Sequence, residues 1–134
     1  MGPQASLNAY LREVAHLPFR LYRHDCLTFT NEAWRRMYGH GWADDWLGRY
    51  TAARTDKDLR AEFGFDTLEA AVSARLKPCV GIPPRGALVT GISAGGWLTG
   101  RAFGIALGSN AAFLSGPGVI YQPITDILNA WVEP

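Results

Sequence analysis

The residue with the clearest chemical potential is Cys26, which directly follows Asp25 at the start of the run DCLTFTNEAWRRMY. Aspartate is a favoured N-cap, and a cysteine one position later falls in the first turn of a helix. Unpaired N–H groups and the positive end of the helix dipole stabilise a thiolate there, which is the setting a nucleophilic cysteine needs. A small buried core residue is the alternative reading of the same spacing. Cysteine catalysis also needs a base, usually histidine. The chain offers His16, His24 and His40, and none after position 40. His24 is near Cys26 in sequence, but close neighbours rarely reach the geometry of a catalytic pair.

Other constellations are weaker. Cys79 has no second Cys or His at ligand spacing, so no metal site is expected. A Cys26–Cys79 disulfide is disfavoured in a reducing compartment. Gly91-Ile92-Ser93-Ala94-Gly95-Gly96 lacks the Lys-Ser/Thr that follows a phosphate loop, and reads as a hairpin turn. Asp44-Asp45 and the pair Asp56, Asp58 are not followed by a calcium-loop pattern. No cofactor is expected. Trp34, Trp42, Trp46, Trp97 and Trp131 read mostly as core. Trp42 and Trp46 fall with Tyr50 in the loop-like segment GHGWADDWLGRY, so the alternative for one of these tryptophans is a protein interface that includes Tyr50, with the loops 39–55 and 77–85 as the binding face.

The surrounding pattern says what must position these residues. Leu7, Tyr10, Leu11, Val14 and Leu17 recur at helical spacing, so a first helix is expected over 6–17, with Ser6 as N-cap and Pro18 as terminator. A second helix starts after Asp25, carries Cys26, Phe29, Ala33, Trp34 and Met37, and closes at Gly39 or Gly41. A third is expected from Asp56 to Gly64 and a fourth over 66–76, capped by Asp66. KPCVGIPPRG then reads as a linker. The β-prone runs 86–92, 97–107, 111–115 and 119–122 follow, with turns at Gly95-Gly96 and Ser109-Asn110. Residues 124–130 read as one or two helical turns. Helices first and antiparallel strands second is the α+β pattern.

With 134 residues, one domain spanning 1–134 is expected. The balance of 13 basic and 12 acidic residues argues against a nucleic-acid or polybasic membrane surface. Neither a secretory signal nor a membrane-spanning run is visible, and a protein made in the cytosol is the expectation.

The ordered pieces HLPFRLYRHDCLTF, GRYTAARTDKDLRAEFGFDTLEAAV, PPRGALV, FGIALGSNAAFLSGPGVIYQPI and AWVEP resemble a family of small phage and prophage tail proteins of unknown function. The match covers about residues 6–133, and that family is similar to a divergent branch of the NlpC-type cell-wall peptidases. The resemblance implies a papain-like fold, with Cys26 in the nucleophile's place. It sets Ala102 where the strand histidine of an active enzyme stands, and Ser115 near the polar residue that orients it. Structural necessity explains Gly104 and Gly108, which are expected to let the sheet pack closely on the Cys26 helix. The function that the resemblance implies is a structural part of a tail tip or baseplate, contacting hub and distal tail proteins, in three copies per tail. The chain would reside in the virion after assembly in the host cytoplasm. A cysteine peptidase or amidase opening peptidoglycan during genome entry, and an assembly factor absent from the mature particle, are the alternatives.

Overall fold

The computed structural model describes residues 2–20, 23–47, 49, 64–92 and 101–134. Helix α1 runs Pro3–Val14. Proline suits the first helical position, because its fixed φ is helical and its missing N–H would be unpaired there anyway. The start thus falls three residues before Ser6, whose N–H is already bonded to the Gly2 carbonyl at 3.0 Å. Leu7, Tyr10, Leu11 and Val14 form the buried stripe, and Leu17 lies beyond the helix, exposed.

Helix α2 runs Cys26–Tyr38. A reciprocal capping box fixes its start: Thr28 N–H donates to Asp25 Oδ1 at 2.9 Å, and Asp25 N–H donates to Thr28 Oγ1 at 2.8 Å. Gly39 ends it in the left-handed region at φ 83°, with its N–H on the Arg35 carbonyl. The two helices pack through Tyr10 stacked on Phe29, and Arg36 of α2 reaches Glu13 of α1 at 2.8 Å. Helix α3 is short, Leu68–Ser73, and its N-cap is Thr67 rather than Asp66, since the Thr67 hydroxyl accepts from Ala70 N–H. The helix expected over 56–64 falls almost wholly outside the described residues, as does the Gly95-Gly96 turn.

Six strands follow: β1 (Lys77–Pro78), β2 (Leu88–Ile92), β3 (Arg101–Ala106), β4 (Asn110–Leu114), β5 (Val119–Pro123) and β6 (Asn129–Val132). All described pairings are antiparallel, in the order β1-β6-β2-β3-β4-β5. Helices before an antiparallel sheet make the chain α+β. Two expectations are corrected here. The linker read at 77–85 begins as a strand, with Lys77 opposite Val132. The helical turns read at 124–130 shrink to one 3-10 turn, Ile124–Asp126. The chain then extends into β6, which inserts between β1 and β2 with Trp131 opposite Leu88. The turn before β4 sits at Gly108-Ser109, with Gly108 at φ 100° and Asn110 already in the strand.

Strand alternation divides the sheet into two faces. Leu88, Phe103, Ile105, Ala112 and Trp131 join the helices in the main core. Val89, Ala106, Ala111, Phe113 and Ala130 form a smaller cluster on the other face, with Ala102, Ile124 and Ile127 packed against it. Gly104 belongs to that second face. A Cβ there would lie 2.6 Å from the Phe113 ring, and one at Gly91 would lie 3.0 Å from it. Gly104 therefore makes room for Phe113, not for the Cys26 helix, and Gly108 has open space around it.

Candidate functional site

The capping box places Cys26 at the first helical position, as its spacing after Asp25 predicts. Tertiary packing decides what the thiol can do. Cys26 is 6% exposed and shares the main core with Phe103 and Ile105 of β3. Burial pushes its pKa from 9.0 up to about 12, and the nearby Asp25 charge adds to the rise. Backbone N–H groups of Phe103, Cys26 and Leu27 pull the other way without overcoming desolvation. The thiol is thus surrounded by donors suited to a thiolate, yet stays protonated.

The residues that the resemblance sets around it do not converge. Ala102 packs with the cluster on the far face of the sheet, while its neighbour Phe103 faces Cys26's side. In this register even a histidine at 102 would turn away from the thiol, so the alignment of 102 with a Cys-facing histidine is corrected. Phe103 fills the near side, 1% exposed, with its ring centroid 4.8 Å from that of Trp42. Ser115 is engaged in the β4–β5 turn, its hydroxyl donating to the Gly118 carbonyl at 2.6 Å.

Among the described residues, no histidine is one of the groups that act on the Cys26 thiol. His16 is exposed, and His40 reaches Glu133 at 3.3 Å. His24 is buried, 8% exposed, edge-on to Phe29 at 6.1 Å, in a cleft that also includes Tyr10, Glu13 and Thr28. Its Nε2 is buried without a hydrogen-bond partner among the described residues. Desolvation lowers its pKa below the ordinary 6.5, with the Asp25 charge opposing, so the ring favours the neutral form.

Trp42 and Trp46 are core, 4% and 2% exposed, and the alternative of an interface role for one of them is corrected. Trp42 Nε1 donates to Thr30 Oγ1 at 3.1 Å, and Thr30 Oγ1 in turn donates to the Cys26 carbonyl at 2.8 Å. Arg75 lies over the Trp46 ring at 4.3 Å and donates to Asp45 at 2.8 Å. Asp44 binds Asn31, Arg35 and the Gly41 N–H. The Asp44-Asp45 pair therefore ties the 41–47 loop to α2 and to Arg75. Tyr50 lies outside the described residues. Among the described residues no group of three or more His, Cys, Asp or Glu side chains could hold a metal ion.

The 77–85 loop does remain open, with Val80 98% and Ile82 80% exposed. It borders a groove of about 550 Å³ that includes Cys79, Ile127 and Leu128. Sequence reasoning missed Phe103 and Thr30, the residues that link the cysteine to Trp42. The only available signal was the alternation of β3, which sets 103 and 105 on the face opposite to 102 and 104.

No curated protein matches the chain. A protein family described as "Domain of unknown function (DUF6950)" matches residues 2–132, from the N-cap of α1 to the last residue of β6. With that match running through every described element, the chain belongs to the DUF6950 family.

Proposed function

We propose that this chain is a non-catalytic structural subunit of a phage tail tip or baseplate, built on an NlpC-like, papain-related arrangement. The observation that carries the non-catalytic part is the closed cysteine. Cys26 starts a helix that packs on an antiparallel strand, as a papain-like nucleophile does, but its thiol is buried and protonated beside Phe103. Peptide hydrolysis needs an imidazole to take the thiol proton and pass it to the leaving amine. The tail setting, with hub and distal tail proteins as partners and three copies per tail, rests on the sequence resemblance.

The experiment is a quantitative mass-spectrometric count of the chain in purified, DNA-free tails, together with the infectivity of a Cys26→Ala phage. A fixed low copy number and near-normal infectivity are expected. Absence from tails despite expression during infection would turn the reading to an assembly factor.

One observation favours the enzymatic alternative. His24 has an unpartnered Nε2 two residues before Cys26. A segment that swung the imidazole onto the thiol would create the missing pair. Incubation with peptidoglycan between about pH 6 and 9, the span in which histidine and cysteine titrate, would release stem peptides only under this alternative.

A further inference from the structure

A second feature lies between α1 and β5. A cleft of about 280 Å³ there is lined by Arg12, Arg85, Asn8, Leu107 and Tyr121, among others, and no carboxylate lines it among the described residues. Four other arginines are paired with acids: Arg35 with Asp44, Arg36 with Glu13 and Glu32, Arg75 with Asp45, and Arg101 with Glu69. Arg85 is held by neutral acceptors alone, the Leu107 carbonyl at 3.1 Å and Asn8 Oδ1. Arg12 is exposed and has no ion-pair or side-chain hydrogen-bond partner among the described residues. The adjacent acid, Glu13, is turned to Arg36. The Tyr121 side chain, on a residue 53% exposed, adds a hydroxyl without a partner among the described residues.

Two guanidinium groups without acids and one free phenol are complementary to an oxyanion, and guanidinium forks match a carboxylate in particular. Arg85 is already fixed by its bonds to Asn8 and Leu107, which lowers the ordering cost of binding. The surroundings favour a short protein segment. β5 is the edge of the sheet, but Val119 N–H is taken by the Ala15 carbonyl and Pro123 has no N–H. The accessible edge is thus confined to the neighbourhood of Tyr121, which suits a loop or a chain end better than a long added strand. Tracking a nucleic-acid backbone takes a succession of cations, whereas this cleft has two and the whole chain has a net charge of +1.

We propose that the α1–β5 cleft docks an acidic segment of a protein partner, with a carboxylate side chain bridging Arg12 and Arg85 and Tyr121 donating a further hydrogen bond. The test is an NMR titration of the ¹⁵N-labelled full chain with a capped glutamate-rich octapeptide. Its glutamine counterpart, inorganic phosphate and oligo-dT are the other arms. The glutamate peptide is expected to shift the amides of Asn8, Arg12 and Tyr121, and the glutamine peptide is not. Arg12→Glu should weaken binding at least about tenfold, the scale of one charge-assisted hydrogen bond, while leaving the spectrum folded, because Arg12 makes no contact the fold depends on. Arg85→Lys, which keeps the charge and loses the fork, should also weaken it. No shifts at these amides, equal shifts with the glutamine peptide, unchanged affinity in Arg12→Glu, or tighter binding of phosphate or oligo-dT than of the peptide would each overturn the proposal.

Discussion

The closed state of Cys26 can be read directly by alkylation. The perturbation is iodoacetamide added to the native protein at about pH 8, with Cys79 as an internal comparison. Only the thiolate reacts. A thiol at its ordinary 9.0 is ionised in about one molecule in ten at that pH. One pushed up to about 12 is ionised in roughly one in ten thousand, so ionisation alone slows Cys26 by about a thousandfold. Steric closure adds to this, since Cys26 is 6% exposed under β3 whereas Cys79 is only partly buried beside the open 77–85 loop. The assay is intact-mass spectrometry over time with peptide mapping of the modified site. One label per chain, on Cys79, is expected, with the second appearing only in denaturant. Labelling of native Cys26 at a rate comparable to Cys79 would refute the argument from burial and revive the enzymatic alternative.

Three further outcomes follow from the same packing. Ala102→His should leave the alkylation rate of Cys26 unchanged, because position 102 faces the other side of the sheet; a marked acceleration would place the new imidazole on the thiol. Trp42→Ala should cost about 3–5 kcal/mol, as large aromatic truncations in cores do. Urea unfolding measures that loss, whereas a surface role would leave the midpoint in place. The pH dependence of stability should carry the signature of His24, whose folded pKa lies below the ordinary 6.5. The unfolded chain then binds the extra proton, so this contribution is complete above 6.5 and is lost as pH falls through that value towards the folded pKa. His24→Phe should flatten the wild-type decline in unfolding free energy between about pH 7.5 and pH 5; identical slopes in the two proteins would contradict it.

What the sequence alone determined was local. Asp25, Thr28 and Gly39 set the ends of α2 through contacts no more than four residues apart, so the position of Cys26 at the helix start was legible before any fold was known. The α+β order was legible for the same reason: the period of the apolar residues changes from helical to strand-like along the chain. Pro3 could have corrected the start of α1, since proline favours the first turn.

What only the tertiary structure decided was non-local. β6 is four residues long and follows a 3-10 turn, and its place between β1 and β2 depends on partners about forty or more positions away. Trp42 and Trp46 sit in irregular backbone with no periodicity to reveal a buried side; Thr30, Phe103 and Arg75 enclose them from distant parts of the chain. The choice between Ala102 and Phe103 as the residue facing Cys26 turns on a single step of strand register, which moves every side chain to the other face. Capping and turn chemistry act within one turn of backbone and leave their mark in adjacent residues. Burial and facing are set by whatever the rest of the chain brings alongside, and that decides whether the cysteine is a nucleophile or part of the core.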